Sequence, residues 1–388
     1  MTGLSFSFTD DQEQFRQAVA GFARRRLAPG YRERSGKDSY PMDLHAEMAA
    51  LGVLGIGLPA EFGGTGAEDP VALGIACEEI GAADVNLAAA PVTVGLTGAQ
   101  LAKGGSPAVQ RRWLPPMIDG TEIVAFGLTE PEAGSDAAAL RTTATPAEGG
   151  GWHLSGEKNS VSHVHAASAT LVYARQPGSE RSAGVSAFLV EMDRPGVSAG
   201  RFHDMGQLPI GRGSLYLDHV FVPAENLVGE QGRGFAAAMG HFDYSRAAIG
   251  LQCLGAAVAS LEETYRYVKE RQAFGRPIAA FEGVSGPLAE HATLVQAARL
   301  LCYQTLWLRQ EGRPHTAEAA MCKWWAPVVA KNAIEACLLT HGHYGWSDEL
   351  PFQQRFRDVF GYQIGDGTAQ IQKQVIASRL IGPEVRGR

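Results

Sequence analysis

The stretch of 40 residues from Phe235 to Phe274 contains no proline. It predicts a helix several times longer than the usual length of about 11–12 residues, and such a helix requires other elements to cover its apolar side. Further helical stretches follow at 287–311, at 316–340 and near 368–380, with short links between them. Long helices with short links indicate an antiparallel four-helix bundle. Pro327 is expected to kink the third of these helices.

The residues before this bundle divide into two parts. The first has helical patterning: Thr9 and Gln12 form a capping-box pattern, a second helical stretch begins near Pro70, and Pro115-Pro116 and Gly120 are expected to close this helical part. The second part contains short β-prone runs, EIVAFGL, ATLVYA, VSAFLVEM and SLYLDHVFV, separated by turn residues. The sequence therefore predicts an α+β fold. Its parts are an N-terminal all-α domain (1–120), a central β-barrel or β-sandwich domain (121–226) and the C-terminal four-helix bundle (227–388).

Composition excludes several classes of protein. The 388 residues carry a net charge of −7 without a basic block, so we expect no nucleic-acid binding. No apolar run reaches the roughly 18 residues of a membrane span, and the N-terminus lacks the features of a secretory signal. The scattered cysteines form no C-x-x-C pair, which favours a reducing, cytoplasmic location. These cysteines are Cys77, Cys253, Cys302, Cys322 and Cys337.

Several short motifs carry little functional weight. Residues 232–237 match G-x-G-x-x-A, but no βαβ unit surrounds them. The pairs His163-x-His165 and His341-x-His343 have no carboxylate or cysteine at ligand spacing, so we interpret them as structural and expect no metal. The nucleophile elbow G-x-S-x-G is absent from the sequence.

The segment TEPEAGSD at 129–136 is more informative. It follows an apolar run and places the hydroxyls of Thr129 and Ser135, carboxylates and a flexible Ala-Gly pair in one loop. Such a loop can offer hydroxyl and backbone N–H groups to a polar ligand. A turn with favourable capping residues is the structural alternative.

Taken with three later segments in the same order, TEPEAGSD resembles the acyl-CoA dehydrogenase flavoprotein family. These segments are FDYSR (242–246), RQAFGRPI (271–278) and RDVFGYQIGDGTAQIQ (357–372). The segments at 51–66 and 221–235 are also similar to the family, so the resemblance covers nearly the whole chain. It implies that FAD lies between the β domain and the bundle, with a second subunit completing the site. It also implies a homotetramer built as a dimer of dimers, with an electron-transfer flavoprotein as the redox partner.

The resemblance assigns residues to the cofactor and to the substrate. Ser162 replaces a threonine that hydrogen-bonds the flavin near N5, and its hydroxyl can do the same. The expected cofactor residues are Phe126, Leu128, Thr129, Gly134, Ser135, Ser160, Ser162, Thr368 and Gln370, with Arg271, Phe274, Glu282 and Gly342 at family positions near the neighbouring subunit's FAD or near the flavin. The expected substrate residues are Ser135, Asp243, Arg246 and Gly367.

The position of the catalytic base departs from the family pattern. The family's Y-E-G-T, whose glutamate removes the α-proton of a thioester, is Gly365-Asp366-Gly367-Thr368 here. A subset of the family places its glutamate at the position of Ser245, and a serine cannot serve as that base. Asp366 is therefore the predicted general base. The structural alternative is an aspartate that caps the helix near Thr368, in which case Asp84 would be a fallback base.

Other departures concern the surroundings of the flavin. Ser160 replaces a tryptophan that packs on the ring, Glu282 replaces a glutamine, and Gly342-His343 replaces Gly-Gly. Small side chains at 160, 365 and 366 predict space for a branched, cyclic or otherwise wide acyl group.

The resemblance thus implies an FAD-dependent dehydrogenase that forms an α,β-double bond in an acyl-CoA or acyl-carrier-protein thioester. In that reaction Asp366 takes the α-proton and the hydride passes to flavin N5. Three alternatives stay open at this point: a flavin oxidase similar to nitroalkane oxidase, a flavin N-hydroxylase, and a non-catalytic flavin-binding partner subunit.

Overall fold

The computed structural model describes residues 7–179 and 181–385. Its N-terminal part is helical. The helices are α1 (Asp10–Phe22), α2 (Tyr31–Ser35), α3 (Met42–Ala50), α4 (Pro70–Ala83), α5 (Ala89–Gly104) and α6 (Pro107–Ile118).

Local sequence signals explain where these helices begin. Thr9 Oγ1 accepts a hydrogen bond from the Gln12 N–H, and Gln12 Oε1 accepts one from the Thr9 N–H, which confirms the predicted capping box. Pro115 and Pro116 lie in the final turn of α6, which ends at Ile118, so the helical part stops just before Gly120 as predicted. Their missing N–H groups would have bonded to the carbonyls of Arg111 and Arg112, which are exposed residues, so water can replace those bonds.

The middle part is a β domain. Its strands are β1 (Val124–Gly127), β2 (Thr143–Pro146), β3 (Trp152–Val161), β4 (Ala169–Arg175), β5 (Val185–Glu191), β6 (Val197–Arg201), β7 (Gly213–Val222) and β8 (Leu227–Val228). They form one sheet in the order β6-β7-β3-β2-β4-β5-β8, with β1 parallel to β4. The four β-prone runs correspond to β1, β4, β5 and β7. The sequence analysis did not identify β3, although it is as long as β7 and pairs with both β2 and β7.

This sheet curls around a core of its own. The rings of Trp152 on β3 and Phe188 on β5 lie 5.5 Å apart. Because neighbouring strands are spaced about 4.8 Å apart and β2 and β4 lie between these two, a flat sheet could not bring the rings together. Leu154, Val172 and Val220 are buried in the same core.

A buried ion pair lies at one side of the β domain. Lys158 Nζ on β3 is 2.7 Å from Glu130 Oε1, and neither side chain is more than 6% exposed. Glu130 also accepts hydrogen bonds from the N–H groups of Arg141 (2.5 Å) and Thr142 (2.9 Å). Burial lowers the pKa of Lys158 to about 8, although Glu130 opposes that shift. The pair therefore ties the segment after β1 to the centre of the sheet.

The C-terminal part is the predicted bundle. Its helices are α7 (Gly234–Glu270), α8 (Glu282–Gln310), α9 (Thr316–Thr340), α10 (His343–Trp346), α11 (Phe352–Gly361) and α12 (Ala369–Leu380), with a short hairpin of β9 (Gln272–Ala273) and β10 (Arg276–Pro277) after α7. Helix α7 spans 37 residues, close to the predicted length. Helix α9 has the predicted bounds and continues through Pro327, and α8 begins earlier than predicted, at Glu282.

The N-terminal helices pack on the bundle through a close helix crossing. A Cβ on Gly81 of α4 would lie 2.3 Å from the carbonyl oxygen of Gln252, and one on Gly255 of α7 would lie 2.2 Å from that of Glu78. Glycine at both positions lets the backbones of α4 and α7 touch. Glu78 also accepts hydrogen bonds from a side chain of α8, Arg299.

A buried carboxylate joins all three parts of the chain. Asp358 on α11 accepts hydrogen bonds from the Tyr31 hydroxyl (2.8 Å), the Asn86 amide (3.1 Å) and the Gln207 N–H (2.6 Å). Tyr31 and Asn86 belong to the N-terminal part and Gln207 to the β domain. Burial raises the pKa of the Asp358 carboxyl, and these donors oppose the rise.

Both histidine pairs include a buried, structural histidine. His163 packs edge-on against Tyr40, with ring centroids 4.6 Å apart, and burial lowers its pKa to about 3. His341 stacks on Tyr267 and bonds the carbonyl of Cys337. Within the described ranges, no three His, Cys, Asp or Glu side chains come together as metal ligands. No helix in the described part of the chain is long and apolar enough to cross a bilayer.

The predicted fold class is confirmed. A helical N-terminal part, a curled β domain and a long-helix bundle follow one another along the chain. The domain boundaries at 120 and 226 stay a prediction.

Replacing Lys158 with methionine should destabilise the protein. The Lys158→Met change leaves the Glu130 carboxylate buried without its cation, which should lower the free energy of unfolding by about 3–5 kcal/mol in a urea titration. The double variant Glu130→Gln/Lys158→Met should lose less, because it removes the unpaired charge.

An exposed ion pair supplies the control for that prediction. Arg26 and Glu47 lie on the surface, so Arg26→Met should leave the urea midpoint nearly unchanged. Equal effects of Lys158→Met and Arg26→Met would contradict the structural role given to the buried pair.

Candidate active site

A cavity of about 540 Å³ lies where the β domain, α5, α7 and the segment after α11 meet. Two helices supply a mostly apolar wall. Ala89, Val92, Thr93 and Leu96 line it from α5, and Met239, Phe242, Arg246 and Ile249 line it from α7. Spacings of three and four residues place each set on one face of its helix. Phe126 of β1 lies beside them, 5.7 Å from Phe242 between ring centroids.

The TEPEAGSD loop forms the rim of the cavity. Leu128, Thr129, Gly134 and Ser135 line it, and Gly134 and Ser135 are exposed there. The buried ion pair between Glu130 of this loop and Lys158 of β3 holds the loop against the β domain. The motif therefore has one buried carboxylate that fixes the loop and exposed hydroxyl and backbone groups that face the cavity.

The end of β3 contributes further polar groups. Asn159, Ser160 and Ser162 line the cavity. The pairing of β3 with β7 shifts register between Lys158 and Val161, and Ser160 has a φ of 59°. This irregularity bends the strand end beside the cavity. Predicted residues from β3 and from the loop after β1 thus lie in one wall.

Asp366 lies in the loop between α11 and α12. Its φ is 53° and that of Gly367 is 93°, so two consecutive residues adopt the left-handed region. The φ of Gly367 lies where residues with a side chain are strained, which favours glycine there, and a Cβ would also lie 2.3 Å from Gln372 Nε2. Thr368, not Asp366, caps α12 by accepting a hydrogen bond from the Ile371 N–H. The capping role considered for Asp366 is therefore taken by its neighbour.

Asp366 is exposed to the cavity, whose lining comes from the β domain, α5, α7 and the segment after α11. Burial within this lining raises the pKa of its carboxyl above the usual value, and the positive charges of Lys323 and Arg246 oppose the rise. These cations act without a direct ion pair. Arg246 bonds Asp243 at 2.7 Å, and Lys323 bonds backbone carbonyls. Asp366 is thus an ionisable group with raised basicity.

The other carboxylate in the lining is already paired. Asp204 forms two hydrogen bonds with Arg212, at 2.9 and 2.6 Å. Predicted substrate residue Asp243 does not line the cavity. It holds Arg246 and accepts a hydrogen bond from Thr316 instead. Asp84 is also outside the cavity, where it pairs with Arg34.

Several predicted cofactor residues lie away from this cavity. Arg271, Phe274 and Glu282 are exposed, and Phe274 is 95% exposed with a φ of 53°. Gly342 precedes α10, with a φ of 60°. Thr368 and Gln370 begin α12 beside the Asp366 loop without lining the cavity. The role of these residues toward a cofactor stays a prediction.

The sequence analysis did not identify several other residues as part of the cavity wall. Gln252 Nε2 donates to the Tyr362 hydroxyl at 2.6 Å, and both residues lie in the wall. Met205, Gly206 and Gln207 enter from a loop of the β domain. The helical spacing of the apolar residues was a visible signal, but that spacing alone does not distinguish a cavity wall from a core.

The residues present suit a large ligand with polar and aromatic parts, such as the expected FAD. The hydroxyls of Thr129, Ser135 and Ser162 can donate or accept hydrogen bonds, and Phe126 supplies an aromatic face. A Cβ built on Gly134 would meet no atom within 4 Å, so a ligand can approach the backbone there.

Family models match nearly the whole chain. They are the N-terminal domain (residues 9–121), the middle domain (125–220) and the C-terminal domain (232–381) of acyl-CoA dehydrogenase.

Known proteins are similar to this chain in sequence and structure over nearly its whole length. The short-chain specific acyl-CoA dehydrogenase of Megasphaera elsdenii is 35% identical over 97% of this chain and 100% of its own. The solved butyryl-CoA dehydrogenase from Megasphaera elsdenii has a TM-score of 0.93 at 34% identity, covering 97% of this chain and 100% of that one. A structure of PigA with FAD and proline has a TM-score of 0.94 at 25% identity, covering 99% and 100%. The chain therefore belongs to the acyl-CoA dehydrogenase family of oxidoreductases, as its motifs indicated.

Proposed function

We propose that this enzyme is an FAD-dependent acyl-thioester dehydrogenase in which Asp366 removes the α-proton of the substrate. The observation that carries the proposal is the state of the two carboxylates in the cavity. Asp204 is held by Arg212, whereas Asp366 faces the cavity and pairs with no arginine directly. Raised basicity suits a group that must take a proton from carbon.

The protein's own groups have distinct tasks in this proposal. Asp366 accepts the α-proton on its carboxylate, and the electron pair of the broken α-carbon bond forms the new double bond as the β-hydrogen departs with its electrons. When bound, FAD supplies the acceptor for that hydride. Thr129, Ser135 and Ser162 would hold the cofactor by hydrogen bonds, and Arg246, fixed by Asp243, would lie near the thioester end of the substrate.

An aspartate base also suits a flavin oxidase similar to nitroalkane oxidase, with oxygen as the acceptor. The redox partner distinguishes the two. An electron-transfer flavoprotein is expected to reoxidise a dehydrogenase, while a reduced oxidase would react rapidly with oxygen alone. The flavin of a non-catalytic partner subunit would not be bleached by any of these substrates.

The role of Asp366 can be tested through the flavin colour. Asp366→Asn should keep bound flavin but slow anaerobic bleaching by acyl-thioesters by roughly 10²–10⁴-fold, because a positioned proton acceptor is lost. Asp366→Glu is the matched control, since it keeps a carboxylate and restores the family's residue. Near-normal bleaching by Asp366→Asn would move the base elsewhere.

The shape of the cavity supports a wide acyl group. A Cβ on Gly365 would meet only the Gly361 carbonyl oxygen, at 4.0 Å, so the space beside Asp366 is open. Tyr362 is tied to Gln252 and is not free to fill that space, and His343 lies outside the lining. The similar PigA structure contains proline, a cyclic compound.

We expect kcat/KM to be higher for cyclohexanecarbonyl- and isobutyryl-thioesters than for butyryl- and octanoyl-thioesters, because that ratio reports discrimination in the transition state. Gly365→Val should reduce the preference by occupying the open space. A clear preference of the unaltered enzyme for octanoyl-thioester would refute the wide-pocket argument and leave the dehydrogenase assignment intact.

Cofactor binding and assembly are linked in the proposal. The bundle exposes large apolar side chains at Phe274 (95%), Trp346 (82%) and Leu339 (68%), which a second subunit could cover. Arg271 is also exposed and directly precedes the hairpin of β9 and β10, which carries Phe274. Its guanidinium suits a phosphate of the neighbouring subunit's FAD.

The isolated protein should be yellow and sediment as a homotetramer built from two dimers. Arg271→Ala should lower the flavin content, and Phe274→Ser should lower both the flavin content and the fraction of tetramer. Arg24→Ala, at another exposed arginine, should change neither. A colourless monomer that takes up no FAD would contradict the proposal.

A further inference from the structure

Lys323 is a fully buried lysine beneath the loop that carries Asp366. Its side chain on α9 is 0% exposed. The Nζ atom is 2.5 Å from the carbonyl oxygen of Tyr362 and 3.5 Å from that of Gly367. These two carbonyls lie on either side of Asp366 in the chain. One buried amine therefore contacts both ends of a six-residue segment, 362–367.

This segment needs support because of its backbone. Asp366 and Gly367 both have positive φ values, which for a residue with a side chain carries a conformational cost. A neutral side chain also holds the segment. Gln372 on α12 donates from Nε2 to the carbonyl oxygens of Asp366 (3.1 Å) and Gly367 (3.3 Å). Lys323 and Gln372 thus hold the same loop, and only Lys323 brings charge.

Two cations and two neutral groups lie around the loop. Lys323 from α9 and Arg246 from α7 are the cations that act on the Asp366 carboxyl, and Asp243 partly neutralises Arg246. The Cys253 thiol of α7 faces Lys323, and burial raises its pKa to about 12, so it is neutral near pH 7. The Tyr362 hydroxyl is likewise neutral, because burial raises its pKa well above the usual value.

We infer that Lys323 is a positioning residue for the base: its ammonium holds both ends of the 362–367 loop and places a buried positive charge within electrostatic range of the Asp366 carboxylate. This inference rests on the proposed role of Asp366. It adds that Lys323 sets the pH range in which the carboxylate is available.

The electrostatic consequence has a definite sign. Burial lowers the pKa of Lys323 and Asp366 raises it, while Lys323 lowers the pKa of Asp366, so each group favours the charged form of the other. Without the ammonium, only Arg246 would oppose the effect of burial on Asp366. The carboxyl would then stay protonated up to a higher pH. In a plot of bleaching rate against pH, the acid limb, where the rate rises with pH, should therefore move to higher pH.

The first experiment measures flavin bleaching by an acyl-thioester between pH 5.5 and 9, with the enzyme as isolated. Lys323→Met should raise the midpoint of the acid limb by about 1–3 pH units, the size typical of losing a nearby opposite charge. Gln372→Leu is the matched control. It removes hydrogen bonds to the same loop without removing charge, so its maximal rate should fall while the midpoint stays in place. Equal midpoints in wild type and Lys323→Met would overturn the inference.

The second experiment requires no turnover. The loss in urea midpoint caused by Lys323→Met should be larger in the wild-type background than in the Asp366→Asn background at pH 8, and this difference should vanish at low pH. A lysine that only supports the backbone would cause equal losses in both backgrounds at every pH, which would refute the electrostatic part. If Lys323→Met does not fold, Lys323→Gln, which keeps a neutral donor, replaces it in both measurements.

The two proposals fail differently. Normal bleaching by Asp366→Asn would remove the proposed base, whatever Lys323 does. An inactive Asp366→Asn together with an unchanged pH profile in Lys323→Met would keep the base and reject Lys323 as its positioning residue.

Discussion

The buried carboxylate of Asp358 is the constraint on which the geometry of the active site depends. It collects hydrogen bonds from Tyr31, Asn86 and Gln207, so the N-terminal helices, the β domain and α11 meet at one group. A buried carboxylate without such donors would be costly, which opposes separation of the three parts. Next to it, Arg357 donates to the Met205 carbonyl at 2.8 Å. The chain then runs from this fixed point through the end of α11 to Asp366.

A base that removes a proton from carbon must be both basic and ionised. Burial in the cavity raises the pKa of Asp366. The positive charges of Lys323 and Arg246 limit this rise. Two of the surrounding residues are small. Gly365 and Ser160 leave space beside the carboxylate, while the Gln252–Tyr362 hydrogen bond keeps one wall in place. The cavity therefore combines hydrogen-bonded polar groups with open space beside Gly365, on which the proposed preference for a wide acyl group rests.

Much of the architecture could be predicted because it depends on local patterns. The proline-free stretch predicted α7, and the Thr9 capping box predicted the start of α1. Strand β3 could not be found in this way. Its residues 155–160 are mostly polar, and their strand conformation depends on β2 and β7, which supply the hydrogen bonds on both sides.

The sequence by itself determined the order of the domains, the family and the candidate base, because these rest on contiguous motifs and on periodic patterns within single elements. Only the tertiary structure decided which residues surround that base. It placed Lys323 and Gln372 beneath the Asp366 loop, left Asp243 outside the cavity as the partner of Arg246, and kept Asp84 paired with Arg34. These relations depend on how helices and strands far apart in the chain pack against one another, and no local spacing of residue types encodes such packing.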